Sequence, residues 1–169
     1  MPLTNKFDKE FCMMAKKYGL SKLLLKSMAM IESSLNPKAY RYEPGFWKRY
    51  LKDNPEWNKK DPAKVSASWG LMQLMYTTAW GLGWRGEAED LEVPVINIEL
   101  GAKLMAKLIK QFDSQKHYWL RPVDFALARY NGGSYKNPDE NQVLRQQKYV
   151  DKVMAVYAKL KETEEECDD

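Results

Sequence analysis

The chain has 169 residues, of which 44% are hydrophobic and 30% charged, and its formal net charge is +4. This composition is typical of one globular domain and excludes a disordered or fibrous chain. Every apolar run is shorter than the roughly 20 residues of a membrane-spanning helix, and the first residues lack the apolar core of a secretory signal, so we expect synthesis in the cytoplasm.

Apolar residues recur at three- and four-residue steps along most of the chain, which is the spacing of amphipathic helices. In chain order this spacing predicts helices at residues 7–18, 21–35, 70–79, 98–112, 122–131 and 143–160, with a short helix near 46–51. Residues 38–68 are predicted to be an inserted loop region that is extended near 38–43. We therefore predict a mainly α fold, with residues 1–161 as one domain and residues 162–169 as an acidic tail.

The net charge conceals an asymmetry along the chain. Residues 162–169 hold six of the 23 acids and no base, so residues 1–161 carry 27 bases against 17 acids, a net charge of +10. A basic body suits a polyanionic partner, such as nucleic acid, a membrane surface or an acidic wall polymer. A solvated surface with a frayed acidic tail explains the same composition without a partner.

The two cysteines, Cys12 and Cys167, lie near opposite ends of the chain. A bridge between them would have to hold the acidic tail, so we favour two reduced thiols. With one histidine, His117, they do not give a zinc site of usual spacing. The sequence also lacks a phosphate-binding glycine loop and a serine-hydrolase elbow. We therefore expect no metal and no cofactor.

Glu32 occupies an unusual position in the second predicted helix. It follows Met28 by four residues and precedes Leu35 by three, which places it on or beside the buried stripe. A carboxylate there is costly unless it is paired or keeps its proton. An acid that is protonated near neutral pH can protonate the leaving oxygen of a glycosidic bond. Taken alone, a glutamate satisfied by basic or backbone donors is the simpler explanation.

Two further segments place polar groups among apolar ones. Gln73 lies in the apolar segment 68–74, after a glycine that allows close approach of another segment. Tyr130 and Asn131 precede two glycines at the end of a predicted helix, where they would either contact a sugar or cap the helix. Each of these signals is weak by itself.

In their order along the chain, these segments resemble a known family. Four short motifs are similar to those of the soluble lytic transglycosylase catalytic domain: Glu32-Ser33, Gly70-Leu71-Met72-Gln73, Tyr130-Asn131 and Tyr149-Val150. The likeness extends from about residue 7 to residue 160, and four motifs in the right order are far more specific than any one of them. The resemblance implies a single lysozyme-like helical domain that cuts bacterial peptidoglycan.

The resemblance also implies a role for each matching residue. Glu32 corresponds to an acid/base that protonates the oxygen between N-acetylmuramic acid (MurNAc) and N-acetylglucosamine (GlcNAc). It then takes the proton of the muramic C6 hydroxyl, which closes onto C1 to give a 1,6-anhydro product without a second carboxylate. The implied substrate-binding residues are Ser33, Gln73, Tyr130, Asn131 and Tyr149. Tyr149 is expected to orient Glu32.

The inserted region 38–68 departs from the family pattern. Family members have a short loop there with a serine near the acid, whereas the first serines of this insertion are Ser66 and Ser68, either of which could take that place. Among the acids of the insertion, Glu43 is the strongest candidate for a second carboxylate because it comes soonest after the helix that carries Glu32. The aromatic residues of the insertion are expected mainly to pack together, with one or two facing substrate.

The leading hypothesis is therefore a monomeric lytic transglycosylase that acts on peptidoglycan glycan strands. A second carboxylate would favour a hydrolytic muramidase on the same fold, similar to goose-type lysozymes. A non-catalytic glycan-binding or assembly domain is a third possibility, and nucleic-acid binding is disfavoured because the bases are scattered along every helix.

The location of the substrate adds one expectation. Peptidoglycan lies outside the cytoplasmic membrane, and we find no export signal in this sequence. We expect the protein to reach the wall as a phage or prophage lysin, or inside a virion, with a secretion-system accessory as the alternative.

Overall fold

Helices make up most of the chain in the computed structural model, which describes residues 4–117, 120–133 and 140–168. In chain order they are α1 (Asp8–Tyr18), α2 (Lys22–Ser33), α3 (Pro44–Phe46), α4 (Pro62–Val65), α5 (Tyr76–Gly81), α6 (Pro94–Lys110), α7 (Pro122–Gly132) and α8 (Glu140–Thr163). A π-helical turn covers Trp47–Leu51 and a 3-10 helix covers Ala88–Glu92. The predicted mainly α fold is confirmed. None of the helices in these three ranges combines the length and the apolar composition that crossing a bilayer requires.

Local sequence signals determine where several helices begin and end. Ser21 precedes α2, and its Oγ accepts a hydrogen bond from the Leu24 amide as an N-terminal cap. Gly19 ends α1 in the left-handed conformation at φ 67°. After α2, Ser34 and Leu35 are also left-handed, at φ 53° and 59°. The chain therefore turns sharply just past the last turn of α2.

The main hydrophobic core lies between α1, α2, α6, α7 and α8. Helix α2 is at its centre, because every residue from 23 to 29 is buried. The core includes large, fully buried side chains on four of these helices, among them Phe11, Leu25, Met28, Met105 and Leu127. Burial of apolar surface stabilises the fold by roughly 25 cal/mol per Å². The core therefore holds the helix that carries Glu32 along most of its length.

The acidic segment 164–168 packs against the beginning of α2, so the alternative of a frayed tail is wrong for these residues. The Glu164 carboxylate pairs with the fully buried Lys26 ammonium at 2.7 Å, and Asp8 pairs with the same ammonium at 2.8 Å. The Glu166 carboxylate accepts a hydrogen bond of 2.8 Å from the Lys22 amide. Carboxylates are favoured there because the amides at a helix N-terminus carry partial positive charge.

Cys12 and Cys167 form a disulfide bond, with their Cα atoms 5.5 Å apart. The expectation of two reduced thiols is therefore wrong. Docking of the acidic segment on α2 carries Cys167 to the neighbouring α1, where Cys12 lies. A sequence separation of 155 residues hides this proximity from any local pattern.

A small antiparallel sheet stands beside the helices, with strands in the order β1 (Tyr40–Tyr42), β2 (Ala67–Trp69) and β3 (Leu74–Met75). Strand β1 confirms the extended chain expected near residues 38–43. Arg41 lies opposite Ser68, which in turn lies opposite Met75. Because directly opposed residues point to the same face of a sheet, these three side chains form a row across it.

The prediction of a helix over residues 70–79 is wrong for residues 70–75, which form a turn and β3. Gly70 and Gln73 take left-handed conformations, at φ 74° and 50°, which interrupt a right-handed helix. The buried Asn97 side chain fixes this turn through the Met72 amide at 2.7 Å and the Trp69 carbonyl at 2.8 Å. A Cβ on residue 70 would lie 2.4 Å from the Asn97 amide nitrogen, so only glycine fits.

The inserted region 38–68 has a small hydrophobic cluster of its own. Leu51, Trp57 and Val65 are buried in it, with side chains of α3, α5 and the π-helical turn packed around them. The expectation that the aromatic residues of the insertion mainly pack together is confirmed for Trp57, whereas Tyr42 and Tyr50 stay 42% and 52% exposed. The insertion is thus an ordered segment that packs beside the sheet.

Candidate active site

A cleft of about 700 Å³ lies where the end of α2, the sheet, the insertion and the end of α7 meet. Five residues singled out from the sequence as catalytic or substrate-binding line it: Glu32, Glu43, Gln73, Tyr130 and Asn131. Ser68 also lines it, together with residues that sequence reasoning did not select as site residues: Arg41, Phe46, Tyr50, Met75, Thr78, Gly132 and Gly133. The fold thus brings three separate motifs and one acid of the insertion to a single cavity.

Glu32 enters this cleft from the last turn of α2. Burial raises the pKa of its carboxyl from 4.5 to about 7, and this effect outweighs the Tyr149 hydroxyl and the Arg41 charge, which both lower the pKa. The simpler explanation is a glutamate satisfied by basic or backbone donors, and its basic-donor form fails in the described part of the chain, where Glu32 forms no salt bridge. At pH 7 the Glu32 carboxyl is therefore protonated in about half of the molecules.

Two tyrosines border Glu32 from α7 and α8. The Tyr149 hydroxyl is close enough to Glu32 to lower its pKa, yet it makes no hydrogen bond of normal geometry with any described group. The two groups are therefore neighbours that lack a regular hydrogen bond. The Tyr130 hydroxyl donates to the Met72 carbonyl at 2.7 Å. Burial raises the pKa of both phenols, so both stay neutral.

The Gln73 and Asn131 side chains provide the amides of the cleft. Gln73 is held by two hydrogen bonds from Nε2, to the Gly70 carbonyl at 3.0 Å and the Ala39 carbonyl at 3.2 Å. Because both bonds use the nitrogen, the carbonyl Oε1 remains an acceptor. Asn131 is exposed in the last turn of α7. Both side chains can therefore form hydrogen bonds with a polar ligand in the cleft.

Ser33 and Ser66 lie outside the residues that line the cleft, unlike Ser68. The Ser33 Oγ lies 2.7 Å from the Leu71 carbonyl and joins α2 to the Gln73 turn. A sugar contact by Ser33 stays a prediction. The fully buried Ser66 donates to the Glu43 carbonyl at 2.6 Å and so holds the insertion together. Of the two serines considered for the place near the acid, Ser68 is the one that lines the cleft.

Arg41 and Glu43 bring a pair of opposite charges into the cleft from the insertion. The Arg41 Nε lies 3.1 Å from the Glu43 Oε1, and the Arg41 side chain is 74% exposed. Sequence reasoning selected Glu43 and missed Arg41. Their spacing of two residues on an extended segment was the available signal, since such residues share one face of a strand.

Comparison with known families covers the part of the chain that forms the cleft. The model of the transglycosylase SLT domain family matches residues 10–153, which include all of the cleft residues named above and Tyr149. The match leaves out the acidic segment that docks on α2. A match over this much of the chain establishes membership, and the chain therefore belongs to the transglycosylase SLT domain family, as a soluble lytic transglycosylase domain of the lysozyme-like superfamily.

Proposed function

We propose that this protein cleaves the β-1,4 bond between MurNAc and GlcNAc and releases 1,6-anhydro-MurNAc, with Glu32 as its single general acid/base. Family membership supports peptidoglycan as substrate and lytic transglycosylation as the reaction class. The observation that carries the proposal is the half-buried position of Glu32 in the cleft, where desolvation raises the pKa of its carboxyl to about 7. Such an acid is about half protonated at pH 7, whereas an ordinary glutamate is roughly 0.3% protonated.

In the proposed reaction, Glu32 first acts as an acid. Its proton passes to the glycosidic oxygen as the bond from that oxygen to C1 of MurNAc breaks, and GlcNAc leaves as an alcohol. The Glu32 carboxylate then takes the proton of the C6 hydroxyl, whose oxygen forms the new bond to C1. The proton count closes without water, and Glu32 ends protonated. Because the attacking hydroxyl belongs to the same sugar, much of the entropy cost of a second reactant is avoided.

The surroundings of Glu32 suit both halves of this cycle. Burial favours the protonated form that starts the reaction. The Tyr149 hydroxyl and the Arg41 charge favour the carboxylate that exists after the proton has left. These opposing effects leave the pKa near neutral pH, where one group can give and then recover a proton.

The Glu32→Gln variant tests the assignment of the acid/base. The glutamine side chain keeps the shape of the glutamate but has no proton to give, so release of soluble fragments from purified sacculi should fall at least 100-fold. The matched control is Glu162→Gln, on the exposed last turn of α8, which should keep full activity. If the first variant is well folded by circular dichroism and still active, the assignment is wrong.

Hydrolysis is the second candidate function, and one observation favours it: Glu43 lines the same cleft as Glu32. A second carboxylate could hold a water molecule against C1, which is how paired carboxylates hydrolyse glycosides. The transglycosylase proposal predicts that Glu43→Gln still yields anhydro products. Loss of activity in Glu43→Gln, from a parent enzyme whose products carry an added water, would favour the muramidase instead.

A further inference from the structure

Arg41 is a cation in the cleft that lies outside the motifs of the family resemblance. It enters from the insertion, because strand pairing places it opposite Ser68 and both residues line the cavity. Its side chain is 74% exposed, so its salt bridge with Glu43 is a surface pair. Such pairs contribute little to stability. The position of Arg41 is therefore better explained by something that binds in the cleft.

The geometry of the salt bridge leaves most of the guanidinium available. The contact with Glu43 uses Nε, at 3.1 Å. A guanidinium has five N–H donors in a planar fork, and the closest contact with Glu43 uses only the donor on Nε. An Nη pair matches the two oxygens of a carboxylate, and such bidentate bonds are among the strongest polar contacts in proteins. Glu43 thus orients Arg41 for a second anion.

The substrate class of the proposed function provides that anion. The lactyl group of MurNAc carries a short peptide stem, and this peptide has free carboxylates. MurNAc is also the sugar whose C1–O bond breaks when Glu32 protonates the glycosidic oxygen. Arg41 is near enough to Glu32 for its charge to lower the Glu32 pKa. The cation therefore lies near the acid that would cleave the bond to the stem-bearing sugar.

We propose that Arg41 binds a carboxylate of the peptide stem and makes this cleft selective for stem-bearing over denuded glycan. The inference rests on the proposed function, since it takes peptidoglycan as the substrate. It assigns the insertion a role in substrate choice.

Stem binding would also act on the acid. Among the described residues, the charged and titratable groups that line this cleft with Glu32 are Arg41, Glu43 and Tyr50 from the insertion and Tyr130 from α7. Tyr149 from α8 lies beside Glu32. A carboxylate bound to Arg41 offsets the positive charge that lowers the Glu32 pKa. A bound stem therefore favours protonated Glu32, so the alkaline limit of activity should lie at higher pH on stem-bearing glycan than on denuded glycan.

The test compares one glycan with and without its stems. Soluble strands are assayed before and after an amidase has removed the peptides, and kcat/KM is measured on both. Arg41→Gln should lower the ratio of stem-bearing to denuded kcat/KM roughly tenfold, and Arg41→Lys, which keeps the charge without the fork, should recover part of it. The control Lys48→Gln removes an exposed cation of the same insertion that does not line the cleft, and should leave the ratio unchanged. An unchanged ratio in Arg41→Gln, including an equal loss on both substrates, overturns the proposal.

A binding measurement separates this inference from the proposed function. In the Glu32→Gln background, the affinity for stem-bearing strands should fall roughly tenfold when Arg41→Gln is added, and the affinity for denuded strands should change far less. If the parent protein cleaves neither polymer, the proposed function fails while this comparison still decides the role of Arg41. Equal affinities with and without the arginine would refute the stem contact.

Discussion

Replacing Glu32 by glutamine should stabilise the fold at neutral pH while it removes activity. In the unfolded chain the carboxyl has its ordinary pKa of 4.5, and in the native state the pKa is about 7. Between these values the native state binds more protons than the unfolded state, so stability falls as pH rises through this window. Each pKa unit is worth about 1.4 kcal/mol. Ionisable Glu32 therefore costs the native state roughly 3 kcal/mol by pH 8 and almost nothing at pH 4.

Urea denaturation followed by tryptophan fluorescence, with the disulfide intact, measures this cost. The free energy of unfolding of Glu32→Gln relative to the parent should rise by roughly 2–3 kcal/mol between pH 4 and pH 8. The matched control Glu162→Gln, on an exposed turn, should differ from the parent by the same amount at both pH values. If the difference for Glu32→Gln also stays constant with pH, the raised pKa is refuted, and the case for a neutral-pH acid loses its basis.

Three further predictions concern groups that support the site. Tyr149→Phe removes a hydroxyl that lowers the Glu32 pKa, so the alkaline limb of the activity profile should move to higher pH; an unmoved limb would refute the contact. Reducing the Cys12–Cys167 disulfide, whose partners are 155 residues apart, should lower the free energy of unfolding by roughly 2–4 kcal/mol, seen as a lower urea midpoint; an unchanged midpoint would show that this crosslink adds no stability. Asn97→Ala leaves three buried backbone groups without their partner and should cost roughly 3 kcal/mol or more in calorimetry; a cost below about 1 kcal/mol would contradict its role in holding the turn.

The long helices could be predicted from the sequence because their information is local. Apolar spacing, the Ser21 cap and the Gly19 stop each act within one or two turns of a helix. The error at residues 70–79 has a non-local cause. Asn97 imposes the turn before β3 from another helix, and tertiary contacts of this kind override apolar periodicity.

The residues of the candidate site differ in the same way: some can be predicted from local sequence, and others depend on distant contacts. Glu32 could be selected because an acid on a buried stripe is visible within one helix. The spacing of Arg41 from Glu43 predicts only that they share one face of an extended segment, since the place of Arg41 in the cleft depends on pairing with Ser68, which lies 27 residues later in the chain. The disulfide was missed for the same reason, because it depends on how the end of the chain docks on α2. Residues that act through distant contacts need the fold before their role can be argued.

The mass of the muropeptides released from purified peptidoglycan tests the central claim most directly. If Glu32 serves first as acid and then as base for the C6 hydroxyl, the parent protein should release fragments that end in 1,6-anhydro-MurNAc, one water lighter than hydrolytic products. Glu32→Gln should release none. Fragments that carry the added water, no release by the parent protein, or anhydro products that persist in Glu32→Gln would each contradict the account.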